Sequence, residues 1–177
     1  MSGHSKWSQI KHQKGTADAK RSQMFSKLAR VISVAARKGE KPESNAELRA
    51  AVEKAKAINM PNDNIERAIK KRGGKEEGAQ LESARYEAYG PGGSAIIIEV
   101  ITDNKNRTLA EIKHLLSLHD TKLGGQGSVL WAFENKNGKW EPKTNLELSE
   151  NDAQALDKLL EALDDHDDVQ EVFTNAI

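Results

Sequence analysis

Nine lysines and arginines face a single acid in the first 38 residues: Lys6, Lys11, Lys14, Lys20, Arg21, Lys27, Arg30, Arg37 and Lys38 against Asp18. Trp7 and two histidines, His4 and His12, are interleaved with them. Cations in such a run position a chain on phosphates, and a flat ring among them stacks on exposed bases. Lys20 and Lys27 are one heptad apart, with Arg21 beside the first and Arg30 three residues after the second, so on a helix they share a stripe that flanks the apolar face and suits tracking phosphates along a groove. The candidate nucleic-acid contacts are therefore His4, Lys6, Trp7, Lys11, His12, Lys14, Lys20, Arg21, Lys27 and Arg30. Against this stands a plainer reading, a solvated helix face with Trp7 and Ile10 folded back on a core. Lys70, Lys71 and Arg72 form a second basic spot, which stabilisation of a helix carboxyl end explains adequately.

The charge distribution favours the functional reading. The chain of 177 residues has 27 basic and 27 acidic side chains, yet residues 1–80 hold 18 Lys and Arg against 9 Asp and Glu, and residues 81–177 hold 9 against 18. A +9 part draws polyanions by Coulomb attraction and counterion release, while a −9 part is repelled by phosphate.

Other chemistry finds little support. With no cysteine, thiolate metal sites and cysteine nucleophiles are excluded. The glycines of GPGG, 90–93, and LGGQGS, 123–128, lack the GK[ST] ending of a P-loop and are expected to serve turns. His114 and His119, five apart, do not align on one helical face. Asp164 to Asp168 reads as an exposed acidic loop without calcium-loop spacing. No serine has an identifiable base and orienting acid. The expectation is a protein that is not an enzyme and uses no cofactor and no metal. A mean hydropathy of −0.71 and apolar runs as short as Ala95 to Ile98 and Val129 to Phe133 predict no membrane association, and the polar amino terminus predicts a cytoplasmic protein.

The elements that must hold the basic set follow from apolar spacing. Met24, Phe25, Leu28, Val31, Ile32 and Ala35 make one helical stripe within 16–38, ended by Gly39. Ser44 with Glu47 forms a capping-box pattern for a second helix with Leu48, Ala51, Val52, Ala55 and Ile58 inward. Pro61 closes it and opens a third, with Ile65, Ala68 and Ile69 inward. Residues 1–72 thus form a basic arm and a small three-helix bundle, and 73–80, containing GGKEEG, a linker.

Residues 81–177 change texture. Tyr86 and Tyr89 mark an extra strand, Ser94 to Thr102 a central one, and Thr108 with Glu111 caps a helix running to about His119. Val129 to Phe133 is expected as a strand, Asn137-Gly138 as a hairpin turn, and Trp140 with Leu146 to Leu148 as the returning strand. Ser149 caps the next helix, and Val169 to Thr174 makes the last strand. The fold class is α+β: a helical bundle, then a ferredoxin-like βαββαβ domain preceded by an extra strand, with two helices on one sheet face.

Six blocks in this order, GHSKWSQIKHQK, NMPNDNIERAIKK, YEAYGPGG, TDNKNRT, GGQGSVLWAFE and DDVQEVFTN, resemble the YebC/TACO1 family over nearly the whole chain. The resemblance implies non-enzymatic regulators of gene expression: cytoplasmic bacterial proteins described as transcriptional regulators binding DNA, and a mitochondrial translational activator working with the ribosome. Family members commonly carry a third domain inserted in the second. Here only a short turn-bearing segment lies between Phe133 and Thr144, so the chain resembles a short form. The expected partner is nucleic acid, either ribosomal RNA or DNA, with the ribosome as a setting for the first, and a monomer is expected. A flexible aromatic-bearing arm suits unpaired RNA bases, and no clear helix-turn-helix is legible. The rival reading is an adaptor whose acidic second domain binds a basic protein.

Overall fold

The computed structural model describes residues 17–72 and 80–177. Contacts divide the described residues into two compact units, one of residues 17–72 and 80–83 with 101–105, the other of 84–100 with 106–177.

In the first unit, helix α1 (Ala17–Ala35) runs into a 3-10 turn (Ala36–Lys38). Helices α2 (Ala46–Ala57) and α3 (Asn62–Lys71) both pack against α1. Ile32, Ala35, Leu48, Ala51, Val52, Ala55, Ile65 and Ala68 are buried together, the stripes the spacing predicts. The start of α2 differs by one residue from the capping-box expectation. Asn45, not Ser44, is the N-cap: its Oδ1 accepts from the Leu48 amide at 3.1 Å, while Ser44 Oγ donates to the Lys41 carbonyl. Asn45 wins because an amide side chain can do more than cap. It is buried, and its Nδ2 donates at 2.8 Å to the carbonyls of both Ala35 and Gly39, tying the end of α1 to the start of α2. Replacing Asn45 with Ala orphans two carbonyls and an amide and is expected to cost about 2 kcal/mol. Thermal melting checks this, and Asn45→Asp, which keeps the capping oxygen but cannot donate, should recover only part of the loss.

The second unit is built on a sheet of order β3-β1-β2-β6. Strands β1 (Glu82–Tyr89) and β2 (Ala95–Thr102) are joined by 90–94, β3 is Lys122–Leu123, and β6 is Val169–Thr174. β3 is antiparallel to β1, and β6 to β2. In the connection 90–94, Gly92 has φ +66, and a Cβ there would meet Leu148 Cδ2 at 2.6 Å. GPGG is thus a turn that needs glycine for both conformation and space. Helices α4 (Lys105–Leu118) and α5 (Glu150–Asp164) cover one face, where Ile96, Ile98 and Val100 meet Ile112, Leu116, Leu156, Leu159 and Leu163. Ser149 caps α5 as expected, its Oγ accepting from the Asp152 amide at 3.2 Å.

The α+β class stands, but strand usage differs from the expected βαββαβ order. Leu130–Ala132 is a 3-10 turn, and only from Phe133 does the chain extend, as β4 (Phe133–Lys136), which pairs with β5 (Lys139–Pro142) in a separate hairpin. The interior place beside β2 goes instead to β1, the strand read as an addition. Leu146 makes only an isolated bridge with Ala176. The reason is that Val129, Ala132, Phe133 and Trp140 lie across the second face of the sheet, against Ala95, Ile97 and Phe173. An apolar run of five reads alike whether it joins a sheet or covers one. β2 is consequently shielded on both faces, which explains an apolar sequence interrupted before Thr102 only by Glu99, whose Oε1 accepts from Trp140 Nε1 at 2.9 Å.

Candidate nucleic-acid interface

Of the ten residues proposed from sequence as nucleic-acid contacts, His4, Lys6, Trp7, Lys11, His12 and Lys14 lie outside the described residues. The other four are on α1, and the helix does not present them alike. Arg21 is exposed and Lys20 half-buried. Lys27 is only 9% exposed, and Arg30 is half-buried, with Nη1 donating to the Ile101 carbonyl at 3.3 Å. The expected stripe flanking the apolar face is thus turned inward at its carboxyl end. Lys27 is seven residues from Lys20 but only one from Leu28, so a stripe through both runs along the edge of the buried face rather than in the open.

Other elements of the unit present exposed cations. Lys54 and Lys56 on α2, and Arg67, Lys70 and Lys71 on α3, are all exposed. Arg67, Lys70 and Lys71 have i, i+3, i+4 spacing and so share one side of α3. Glu66 and Asp63 are also exposed on this helix, which lowers its net charge. Lys38 and Arg72 are committed to Glu47 and Glu40 respectively, the former at 2.6 Å. Sequence reading missed Lys54, Lys56 and Arg67 because acids are interspersed with them, so no run of like charge marks them out.

The second unit holds its charges differently. Glu111, His166 and Asp168 bring ligand-type atoms within 4.8 Å of one another. Arg107 already donates to both carboxylates at 2.8 Å, and Thr108 Oγ1 donates to Asp168 at 2.7 Å. The cluster is thus an ion-pair network joining α4 to the turn before β6, its negative charge met by a guanidinium. This corrects two expectations. Thr108 and Glu111 do not cap α4 but lie inside it, and Asp168 is not part of an exposed loop but is 2% exposed.

A second buried carboxylate organises the loop after β3. Glu87 accepts from the amides of Gly127 at 2.9 Å and Val129 at 3.0 Å, and its own carbonyl accepts from Gly124 at 2.7 Å. LGGQGS, weighed above as a phosphate cradle, instead spends these amides on protein. At the hairpin tip, Glu134 and Glu141 flank Lys136 at 2.7 and 2.9 Å and hold its ammonium well above the usual lysine range, the hydrogen bond to Glu134 contributing most.

Residues 5–75 match the model of the TACO1/YebC protein N-terminal domain. Residues 81–138 and 136–176 match that of the TACO1/YebC second and third domain. A "probable transcriptional regulatory protein" of Petrotoga mobilis is 53% identical over 98% of this chain and 70% of its own length. A protein of the same name from Kosmotoga olearia is 40% identical over 99% of this chain and 94% of its own, in an alignment 236 residues long. A 177-residue chain can span that length only if the relative carries interior residues that are missing here. The two stretches matched by the second model meet at 136–138, where Asn137 (φ 54) and Gly138 (φ 83) make the β4–β5 turn. The crystal structure of a conserved hypothetical protein from Aquifex aeolicus superposes with a TM-score of 0.83 at 35% identity, covering 95% of each chain.

Proposed function

Because this chain belongs to the TACO1/YebC family, we propose that it is a non-enzymatic regulator of gene expression that acts by binding nucleic acid through its basic amino-terminal part. The name that its relatives carry supports the regulatory role. The observation that carries the mechanism is the charge division, +9 over residues 1–80 and −9 over the rest. Exposed cations on α1, α2 and α3 support it. The target is RNA with unpaired bases, the setting the ribosome and the compartment the cytoplasm, while DNA is the alternative substrate. Among the described residues no helix is long and apolar enough to cross a membrane.

Exposed lysines and arginines that release counterions give affinity a steep salt dependence, and each lost phosphate contact lowers the slope of log K against log salt by about 0.7 on a single strand and about 0.9 on duplex DNA. Lys20→Ala with Arg21→Ala is expected to weaken binding of labelled RNA and to flatten this slope by between one and two. Anisotropy titrations at several salt concentrations measure both quantities. Affinity and slope equal to the parent chain would remove α1 from the interface. Lys27→Ala should instead lower thermal stability, as removal of a buried side chain does.

A second reading rests on a separate observation: nine Asp and Glu lie between Glu147 and Asp168, with one lysine among them. An adaptor would use this acidic segment to hold a basic protein. Charge reversal at Asp157 and Glu161 separates the readings, since it abolishes protein capture in the adaptor and leaves nucleic-acid affinity undiminished in the regulator.

A further inference from the structure

Tyr89 and Trp131 are exposed, at 41% and 56%, although both are large aromatic side chains. Their polar tips are already engaged. Trp131 Nε1 donates to Tyr89 Oη at 2.8 Å, and Tyr89 Oη donates to the Ser128 carbonyl at 2.6 Å. The two rings are thereby held in place at both ends of a short hydrogen-bond chain, and what they offer outward is ring surface. The Tyr89–Lys122 register puts the exposed Lys122 on the same side of the sheet as Tyr89, because directly paired residues share a face. Positions 125 and 127 of the adjoining loop have open space where a side chain would start.

The densest acidic segment of the second unit lies on the other face of the sheet. The segment from Glu147 to Asp168 is centred on α5, which packs on the Ile96, Ile98 and Val100 face. Tyr89 and Trp131 belong to the opposite face, where Ala95 and Ile97 meet Val129, Leu130 and Ala132. Glu87, the nearest acid along β1, is buried with both oxygens bonded to loop amides.

We infer that Tyr89 and Trp131 form a stacking platform for unpaired nucleobases of single-stranded nucleic acid, with Lys122 beside it for the phosphate. A rigid ring pair with no spare donor suits a base, whose face stacks without sequence preference, and an adjacent lysine completes the backbone contact. The inference rests on the nucleic-acid reading above and adds a contact in the second unit.

The test uses the full chain with a labelled, unstructured RNA of about a dozen nucleotides, a length within the range one small module covers. Trp131→Ala is expected to weaken binding about tenfold, as loss of one stacked base does, with the salt slope unchanged. A duplex of the same sequence should show no such loss, and Lys122→Ala should flatten the slope by about 0.7. If Trp131→Ala fails to fold, tryptophan fluorescence decides. RNA should quench the parent protein more than Trp131→Phe, and equal quenching overturns the platform. Parent chain that binds the single strand, with Trp131→Ala binding it equally, also overturns the platform and leaves the proposed function standing; a platform that takes a protein segment gives that result. Parent chain that binds neither RNA nor DNA removes the proposed function and this inference together.

Discussion

Glu87→Ala is expected to destabilise the second unit by about 3 kcal/mol, since it strips a buried site of an acceptor that two amides share. The side chain is 1% exposed, and Arg85 approaches its Oε1 at 3.4 Å as an ion pair while its guanidinium lies 5.0 Å from the Trp140 ring centre. Val129 is wholly buried, so its amide has no water to turn to. Glu87→Gln makes the argument sharper. The amide oxygen can satisfy one of the two donors, but its NH2 group must face the other, so about half the loss should remain. Urea unfolding of the parent and both variants measures this. A change under about 1 kcal/mol for Glu87→Ala would mean that the loop amides find other acceptors. The consequence reaches the proposed platform, because Glu87 holds the loop that leads into Trp131.

The second large effect is expected at Asp168. Asp168→Ala removes the acceptor of both Arg107 and Thr108, for a loss of about 2–3 kcal/mol. Most of that comes from Thr108, whose buried hydroxyl loses its acceptor. Arg107 is 43% exposed and can return to water, so its share is small. Arg107→Ala alone should therefore cost less than Asp168→Ala. A double-mutant cycle between the two is expected to give a coupling of about 1 kcal/mol. Equal losses from the two single variants would show that the network, rather than the hydroxyl, carries the energy. Because the network joins α4 to the start of β6, both variants should also speed amide exchange at the β6 edge of the sheet.

Much of the fold was legible because its signals are local. Apolar spacing placed the three helices of the bundle, Ser149 announced α5, and Asn137-Gly138 announced the hairpin turn. The errors arose where a residue's role depended on partners distant in sequence. Asn45 and Ser44 are both good caps in a sequence, and only the closeness of the Ala35 carbonyl decides between them. Val129 to Phe133 reads as a strand by composition, but Glu87, some forty residues earlier in the chain, draws its first amide out of the sheet.

The candidate interface divides in the same way. Charge segregation, apolar spacing and the six family blocks are properties of the linear chain, and from them the basic character of the amino-terminal part, the α+β class and the family already followed. Exposure is not a linear property. Whether Lys27 faces solvent or the bundle depends on how α1 is turned against α2 and α3. Whether Trp131 lies in a core or on a surface depends on which atom receives its indole N–H. Tertiary structure alone decided those points, because burial and hydrogen-bond partnership are set by residues far apart in sequence that only folding brings within a few ångströms.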